Sequence, residues 1–368
     1  MVLPDQHSSD PLIIVDGHQD IAWNAAAFER DFTVSALEKR RREAESGHDI
    51  VARNGSATLG LPEALAGRVG IIFGTLFASP AHRAFAGEKG YETPAEAHRI
   101  GMAQVDYYHR LADEHAQVAL IRSQQELADV LATWQDDADP AAHRVGIVIL
   151  MEGADPIREP QAFDEWYARG VRIVGPAWSE TRYSGGTGAP GPLTALGHEL
   201  LEVMAGYRAV LDLSHMAEAA YLEAVDRYDG PIIASHSNPR RFCNSDRHLS
   251  DDMIMRLVAR NGVIGTVLYN RFLWHPGAEP PSKTEAPLTR VVEVIDHVCQ
   301  LAGSARHVGI GSDFDGGFGA ERIPAGLDTV ADLGLIGAAL RERGYAEDDI
   351  ACIMGGNFVR VLRTALPM

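Results

Sequence analysis

Eight short runs of apolar, largely β-branched residues recur along this chain, and most of them stop at a histidine or a carboxylate. They read "LIIVDGH", "VGIIFGTLF", "VGIVILMEG", "GVRIVGPAW", "AVLDLSH", "PIIASHS", "GVIGTVLY" and "HVGIGSDFDG". A strand with one face in water alternates apolar and polar residues, whereas near-continuous apolarity belongs to strands covered on both faces, as in a parallel sheet. Between the runs lie amphipathic segments such as "TALGHELLEVMAGY", "AEAAYLEAVDRY" and "SDDMIMRLVARN". Strands alternating with helices over 368 residues predict an α/β fold, a (β/α)8 barrel of the TIM type with long βα loops, as one domain over residues 1–368. A doubly wound open sheet is the alternative, but no GxGxxG follows any of the runs.

Two stretches exceed a minimal barrel unit. The polar segment from Phe28 to Ala66 reads as an insertion after the first strand. The Gly-rich "SETRYSGGTGAPGPL" reads as a mobile loop after the fourth.

The ends of the runs carry the chemistry. His18 and Asp20 close the first, Glu152 the third, His215 the fifth, His236 the sixth and Asp313 the eighth. The C-terminal ends of barrel strands converge on one face, so residues nearly 300 positions apart become neighbours. A lone histidine after a strand is more often a structural hydrogen-bonder than a ligand, but five strands ending this way point to a metal site. Imidazole and carboxylate without thiolate suit zinc, and also manganese, iron or cobalt. The groups outnumber the ligands of one tetrahedral ion, which predicts two ions about 3.5 Å apart, with Glu152 as the bridge. A water shared by such a pair turns nucleophilic near neutral pH, and Asp313, left free of the metals, would carry its proton to a leaving amine.

Composition narrows the partners. Lys plus Arg number 33 against 51 Asp plus Glu, a formal charge of −18. That excess argues against a nucleic-acid surface and favours cation capture. Cys243, Cys299 and Cys352 are far apart and form no CxxC pair, which suits a reducing compartment. The N-terminus lacks a basic signal-peptide region, and no apolar stretch approaches the roughly 20 residues of a membrane span. A cytoplasmic location is the expectation. His7, His82, His109, His115, His143 and His198 sit in polar context and read as solvated. Cys243 reads as an inert thiol, and "GGTGAPG" lacks the GK[ST] of a phosphate cradle. Arg240, Arg241 and Arg247 follow the sixth strand; each is either a clamp for a substrate carboxylate or one half of a surface ion pair.

From "VDGHQDIAW" through "LDLSH", "ASHS" and "GIGSDFDG" to "MGGNFVRVL", the chain resembles the renal (membrane) dipeptidase family of zinc-dependent, amidohydrolase-type barrels. The resemblance implies two Zn2+ per chain: His18 and Asp20 on one ion, His215 and His236 on the other, Glu152 on both. It also implies Asp313 as the acid–base aspartate, Trp23 beside the first metal motif, Arg247 on the substrate's C-terminal carboxylate, and Tyr269 lining the pocket. The implied activity is hydrolysis of small L,L or L,D dipeptides by a homodimer. One departure stands out. The family carries a histidine after the fourth strand that stabilises the tetrahedral intermediate, and "GPAWSETRYSGG" puts Trp178 there. An indole donates one hydrogen bond and cannot be cationic, so stabilisation would pass to the metals or to Arg182. A non-dipeptide amide, such as an N-acyl amino acid or a pathway intermediate, is therefore the alternative substrate. A barrel that binds a ligand without catalysis is the third reading. Gln19 within "HQD" departs from the family in the same direction.

Overall fold

The computed structural model describes residues 13–47, 49–85, 88–135, 139–274 and 282–368; His7 lies outside them. All eight apolar runs form strands: β1 (Ile14–Gln19), β2 (Val69–Phe77), β3 (Val145–Glu152), β4 (Val171–Gly175), β5 (Val210–Asp212), β6 (Ile232–Ala234), β7 (Val263–Thr266) and β8 (Val308–Ile310). Every residue in them is buried. The ladder runs β2-β1-β8-β7-β6-β5-β4-β3, every pairing is parallel, and β3 returns to β2 from Ile71 opposite Gly146 to Phe77 opposite Glu152. This is a closed eight-stranded barrel. A further short strand, Val118–Leu120, pairs with the first residues of β3 on the edge that β4 uses higher up, and so stays outside the ring.

Both faces of the strands bury apolar side chains, for two different reasons. Val15, Ile71, Phe73, Val148, Leu150, Ile173, Val210, Ile233 and Val263 share one apolar cluster with Phe358 of the C-terminal helix Asn357–Ala365. Their strand neighbours Ile14, Ile72, Ile147, Ile149, Val174, Leu211, Ile232, Ile264 and Val308 pack with the surrounding helices. Near the rim the interior narrows. A Cβ at Gly265 or Gly311 would come within 1.8 or 1.9 Å of the Ser235 carbonyl oxygen, so only glycine lets β7 and β8 approach β6 there.

The helices expected from the sequence form at Ala195–Gly206, Glu218–Arg227 and Asp251–Ala259. The insertion folds into three helices, Ala36–Ser46, Ile50–Asn54 and Leu61–Ala66. It docks on the loop after β8, where Asp315 accepts hydrogen bonds from Thr58 N (2.8 Å) and Thr58 Oγ1 (2.7 Å). The Gly-rich segment is a two-stranded antiparallel ribbon, Ser184–Gly186 with Ala189–Leu193, and not the loose loop its composition predicts. Its tip is tied from both sides: Gly188 N donates to Asp246 Oδ2 (2.7 Å), and Arg83 donates to Gly188 O (3.2 Å). Composition reports glycine content but not these anchors.

Candidate metal centre

The strand ends deliver the predicted side chains to one spot. His18 is the penultimate residue of β1, Asp20 leads into the helix Ile21–Phe28, and Glu152 is the last residue of β3. His215, His236 and Asp313 follow β5, β6 and β8 by two or three residues. His215 and Asp313 take left-handed backbone, at φ 64° and φ 61°, which turns the chain sharply above the rim.

Glu152 occupies the middle. Its Oε1 lies 3.1 Å from His215 Nε2 and 3.2 Å from His236 Nε2, while its Oε2 lies 3.7 Å from His18 Nε2. His18 Nε2 is 3.7 Å from Asp20 Oδ2 and 4.0 Å from Asp313 Oδ1. His215 and His236 bring their Nε2 atoms to 3.1 Å, and the rings of His18 and His236 stack at 3.6 Å. Two overlapping triads emerge, His18–Glu152–His236 and His18–Asp20–Asp313, each with ligand atoms within 4.8 Å of one another. Asp313 thus stands nearer to the cluster than a purely detached base.

This donor set fits cations. His18 Nε2 and Asp20 Oδ1 are buried and have no hydrogen-bond partner, an expensive condition for polar atoms unless an ion takes them up. A Cβ on Gly316 would come within 2.2 Å of Asp313 Oδ1 and 2.9 Å of Asp20 Oδ2, so a glycine keeps the cradle open.

The protonation pattern agrees. Burial, then the neighbouring Asp20 and Asp313, raise Glu152 far above the usual carboxylate range. Burial and Asp20 do the same to Asp313, and burial with Asp315 lifts Asp20 to about 7. Burial and Arg247 push His18 down to about 3, and burial likewise keeps His215 and His236 neutral. Neutral imidazoles are the ligating form, and crowded carboxylates ionise once a cation offsets their repulsion.

Partners behind the cluster fix the tautomers. Asp212 Oδ1 accepts the backbone N–H groups of Ser214 (3.0 Å) and Ser235 (2.8 Å), and its Oδ2 accepts Ser235 Oγ–H at 2.6 Å. With its only proton committed there, Ser235 Oγ must accept from His236 Nδ1 at 2.8 Å, leaving the Nε2 lone pair facing the centre. Thr187, at the tip of the Gly-rich ribbon, lies 2.9 Å from His215 Nδ1. Asp16 accepts Ser312 N (2.8 Å) and Gln19 Nε2 (2.7 Å), joining β1 to the loop after β8 and turning Gln19 away from the pocket. Sequence reading passed over Asp16, Asp212, Ser235 and Thr187. The signal for the two aspartates was present: each is a charge inside an apolar run, two or three residues before a ligand-type histidine.

Above the cluster opens a cavity of about 790 Å³. One aromatic group on its wall is Trp23, Phe77, Phe85 and Trp178, with ring centroids 5.0–6.1 Å apart. A second is Tyr269, Phe272 and Phe318, with Tyr269 stacked on Phe318 at 4.4 Å. Arg247 is 4% exposed; it donates to His236 O (2.6 Å) and Ser237 Oγ (3.1 Å), and its Nε has no partner. Of the three arginines singled out after β6, this is the one at the cavity; Arg240 ties to His248 O and Glu218, and Arg241 does not reach it. Trp178 sits 6.4 Å from the His215 ring. Arg182 is not available to assist it: its guanidinium donates to the carbonyls of Asp155, Ile157 and Arg158, outside the cavity. Cys243 is a buried wall residue whose thiol burial pushes up, consistent with an inert role. Two of the histidines read as solvated are engaged: His109 Nε2 meets Arg169 O at 2.8 Å, and His143 stacks on Trp134 at 4.1 Å.

A parallel barrel that gathers three imidazoles and three carboxylates at its C-terminal rim, under an open cavity, has the build of a metal-dependent enzyme. Comparison with known sequences places it further. Residues 8–367 match the membrane dipeptidase family, peptidase family M19, and the chain belongs to that family. An uncharacterised protein from the pqqA 5' region of Klebsiella pneumoniae is 34% identical over 232 residues, 60% of this chain and 82% of that protein. Dipeptidase ataJ of Aspergillus terreus is 27% identical over 95% of this chain and 84% of its own length. Among solved structures, a metallo peptidase from Rhodobacter sphaeroides, liganded with a phosphinate mimic of the dipeptide L-Ala-D-Ala, superposes with a TM-score of 0.77. It is 24% identical and covers 97% of this chain and 100% of that one, a likeness of fold.

Proposed function

We propose that this enzyme hydrolyses the peptide bond of small dipeptides, L,L or L,D, with a binuclear zinc centre. The observation that carries the reading is Glu152, whose two oxygens face different histidines, Oε1 toward His215 and His236 and Oε2 toward His18. That divergence is what a carboxylate shared by two ions requires, with Asp20 completing the His18 side. A zinc pair, when bound, supplies a nucleophilic water at neutral pH and polarises the scissile carbonyl.

The chain's own residues do the rest. Arg247, buried and with an unpartnered Nε, holds the substrate's carboxylate at the cavity floor. Asp313 Oδ1, at the edge of the cluster, takes up a proton during attack and returns it to the departing amine. Trp178 and Tyr269 wall off the reacting bond from solvent. The dipeptidases among the relatives support the substrate class of this reading.

Trp178 favours a second reading, a non-dipeptide amide, because an indole replaces the imidazole expected at that position. A panel of dipeptides, scored by amino-acid release from zinc-loaded protein alongside elemental analysis, decides between them. Two zincs per chain with no cleavage across the panel would remove the dipeptidase reading. A cytoplasmic homodimer remains our proposal for the assembled protein. The three cysteines are free, and among the described residues no helix is long and apolar enough to cross a membrane.

A further inference from the structure

Arg271 lines the same cavity as Arg247 and is exposed there, yet its side chain makes no hydrogen bond or ion pair among the described residues. It sits on the single turn Asn270–Phe272 that follows β7, two residues after Tyr269 and next to Phe272. The Phe272 ring lies 5.7 Å from the Arg247 guanidinium, so Arg271 belongs to the Arg247 end of the cavity. The other end, near His215, is walled by Trp178 and its aromatic neighbours, and the arginine on that side, Arg83, is tied to the ribbon by its hydrogen bond to Gly188 O. Among the described residues, the one carboxylate on the cavity wall apart from the metal cluster is Asp246, whose Oδ2 accepts from Gly188 N at 2.7 Å.

An exposed guanidinium at a cavity mouth, on a protein of net charge −18, would ordinarily find a carboxylate neighbour. Here it is left for a ligand. Two cations at one end, one buried beside the metal cluster and one free at the rim, match a leaving residue with two carboxylates. We infer that the enzyme selects dipeptides whose C-terminal residue is acidic, with Arg271 receiving the side-chain carboxylate while Arg247 receives the main-chain one. This rests on the dipeptidase reading above. The aromatic end takes an apolar N-terminal side chain by the same complementarity.

The test compares Leu-Glu, Leu-Gln and Leu-Ala on zinc-loaded enzyme. Leu-Glu should exceed its isosteric neutral partner Leu-Gln by about 5- to 10-fold in kcat/KM, mainly through KM, since a rim ion pair is solvated in both ground and transition states. The preference should shrink as salt rises from 50 to 500 mM. Arg271→Gln should bring the Leu-Glu to Leu-Gln ratio to within about 2-fold, Arg271→Lys should restore part of it, and Arg271→Glu should invert it toward Leu-Lys. Thermal unfolding and zinc content of each variant report folding separately. If Leu-Ala is cleaved while wild-type enzyme treats Leu-Glu and Leu-Gln alike, or if the preference survives in Arg271→Gln, the acidic subsite is overturned and the dipeptidase reading stands. If none of the three peptides is cleaved, the dipeptidase reading falls and takes this inference with it.

Discussion

Replacing Asp313 by Asn separates the roles that crowd into the centre. The carboxylate oxygens of Asp20 and Asp313 lie within 4.8 Å of one another and of His18. Two unit charges at that distance repel by about 3 kcal/mol at an effective dielectric of about 20. Burial is the larger cause and this repulsion adds to it, so that the Asp313 carboxyl is raised well above its ordinary 3.8. The sign follows from linkage. A carboxyl with a raised folded pKa holds its proton in the native state where the unfolded chain has lost it, so metal-free protein loses stability as pH climbs above 3.8. At pH 8, in chelator, Asp313→Asn should therefore be more stable than its parent by up to about 3 kcal/mol, because the amide neither repels Asp20 nor has to take up a proton on folding. The backbone adds no penalty, because Asn tolerates the left-handed φ of 61° at this position. In zinc the order of activities is the reverse: turnover should fall about 100- to 10,000-fold, the range for a lost proton carrier. On the proposed ligand set, which leaves Asp313 out, zinc should stay near two per chain. Thermal unfolding with and without chelator, elemental analysis and dipeptide turnover are the three readouts. A chelated variant less stable than its parent would refute the repulsion argument. Retained turnover would refute the proton-carrier role, and loss of one zinc would make Asp313 a ligand.

Three other outcomes follow from specific contacts. Gly316→Ala places a methyl 2.2 Å from Asp313 Oδ1, so zinc affinity should drop with only a modest change in the chelated melting temperature; unchanged affinity would show that the loop yields. Phe358→Ala removes a fully buried ring that packs on Phe73 and on the glycines of β1 and β8, at a cost of about 3–5 kcal/mol, measured by denaturant unfolding; a loss under about 1 kcal/mol would mean the barrel floor collapses to fill the space. Lys39 is buried in the insertion, where its Nζ donates to Leu59 O, and burial pushes it from 10.5 down to about 8. The unfolded chain then binds the proton more tightly, so the parent should gain about 3 kcal/mol relative to Lys39→Met as pH rises from 8 to 10.5; a constant difference across that window would contradict the burial.

The eight strands and the six rim residues were legible in the sequence because both rest on local patterns. An apolar run covered on two faces looks the same wherever its partners lie, and a barrel places every strand end on one rim. That logic located His18, Asp20, Glu152, His215, His236 and Asp313 without a single distance. It also fixed what the cluster must attract, since three imidazoles and three carboxylates in a dry rim have few partners other than cations. Tertiary structure alone decided how the groups face one another. The split of Glu152 between two histidines, the Asp212–Ser235–His236 chain that sets a tautomer, and the docking of the Phe28–Ala66 insertion on Asp315 join residues up to 257 positions apart. Residue type and position after β6 did not separate Arg247 from Arg240 and Arg241, and only the family resemblance singled it out; the tertiary structure buries Arg247, leaves Arg240 half-buried and exposes Arg241. Periodicity encodes which face of a strand is dry, but orientation around a shared centre depends on contacts between segments that carry no mark of one another until the ring closes.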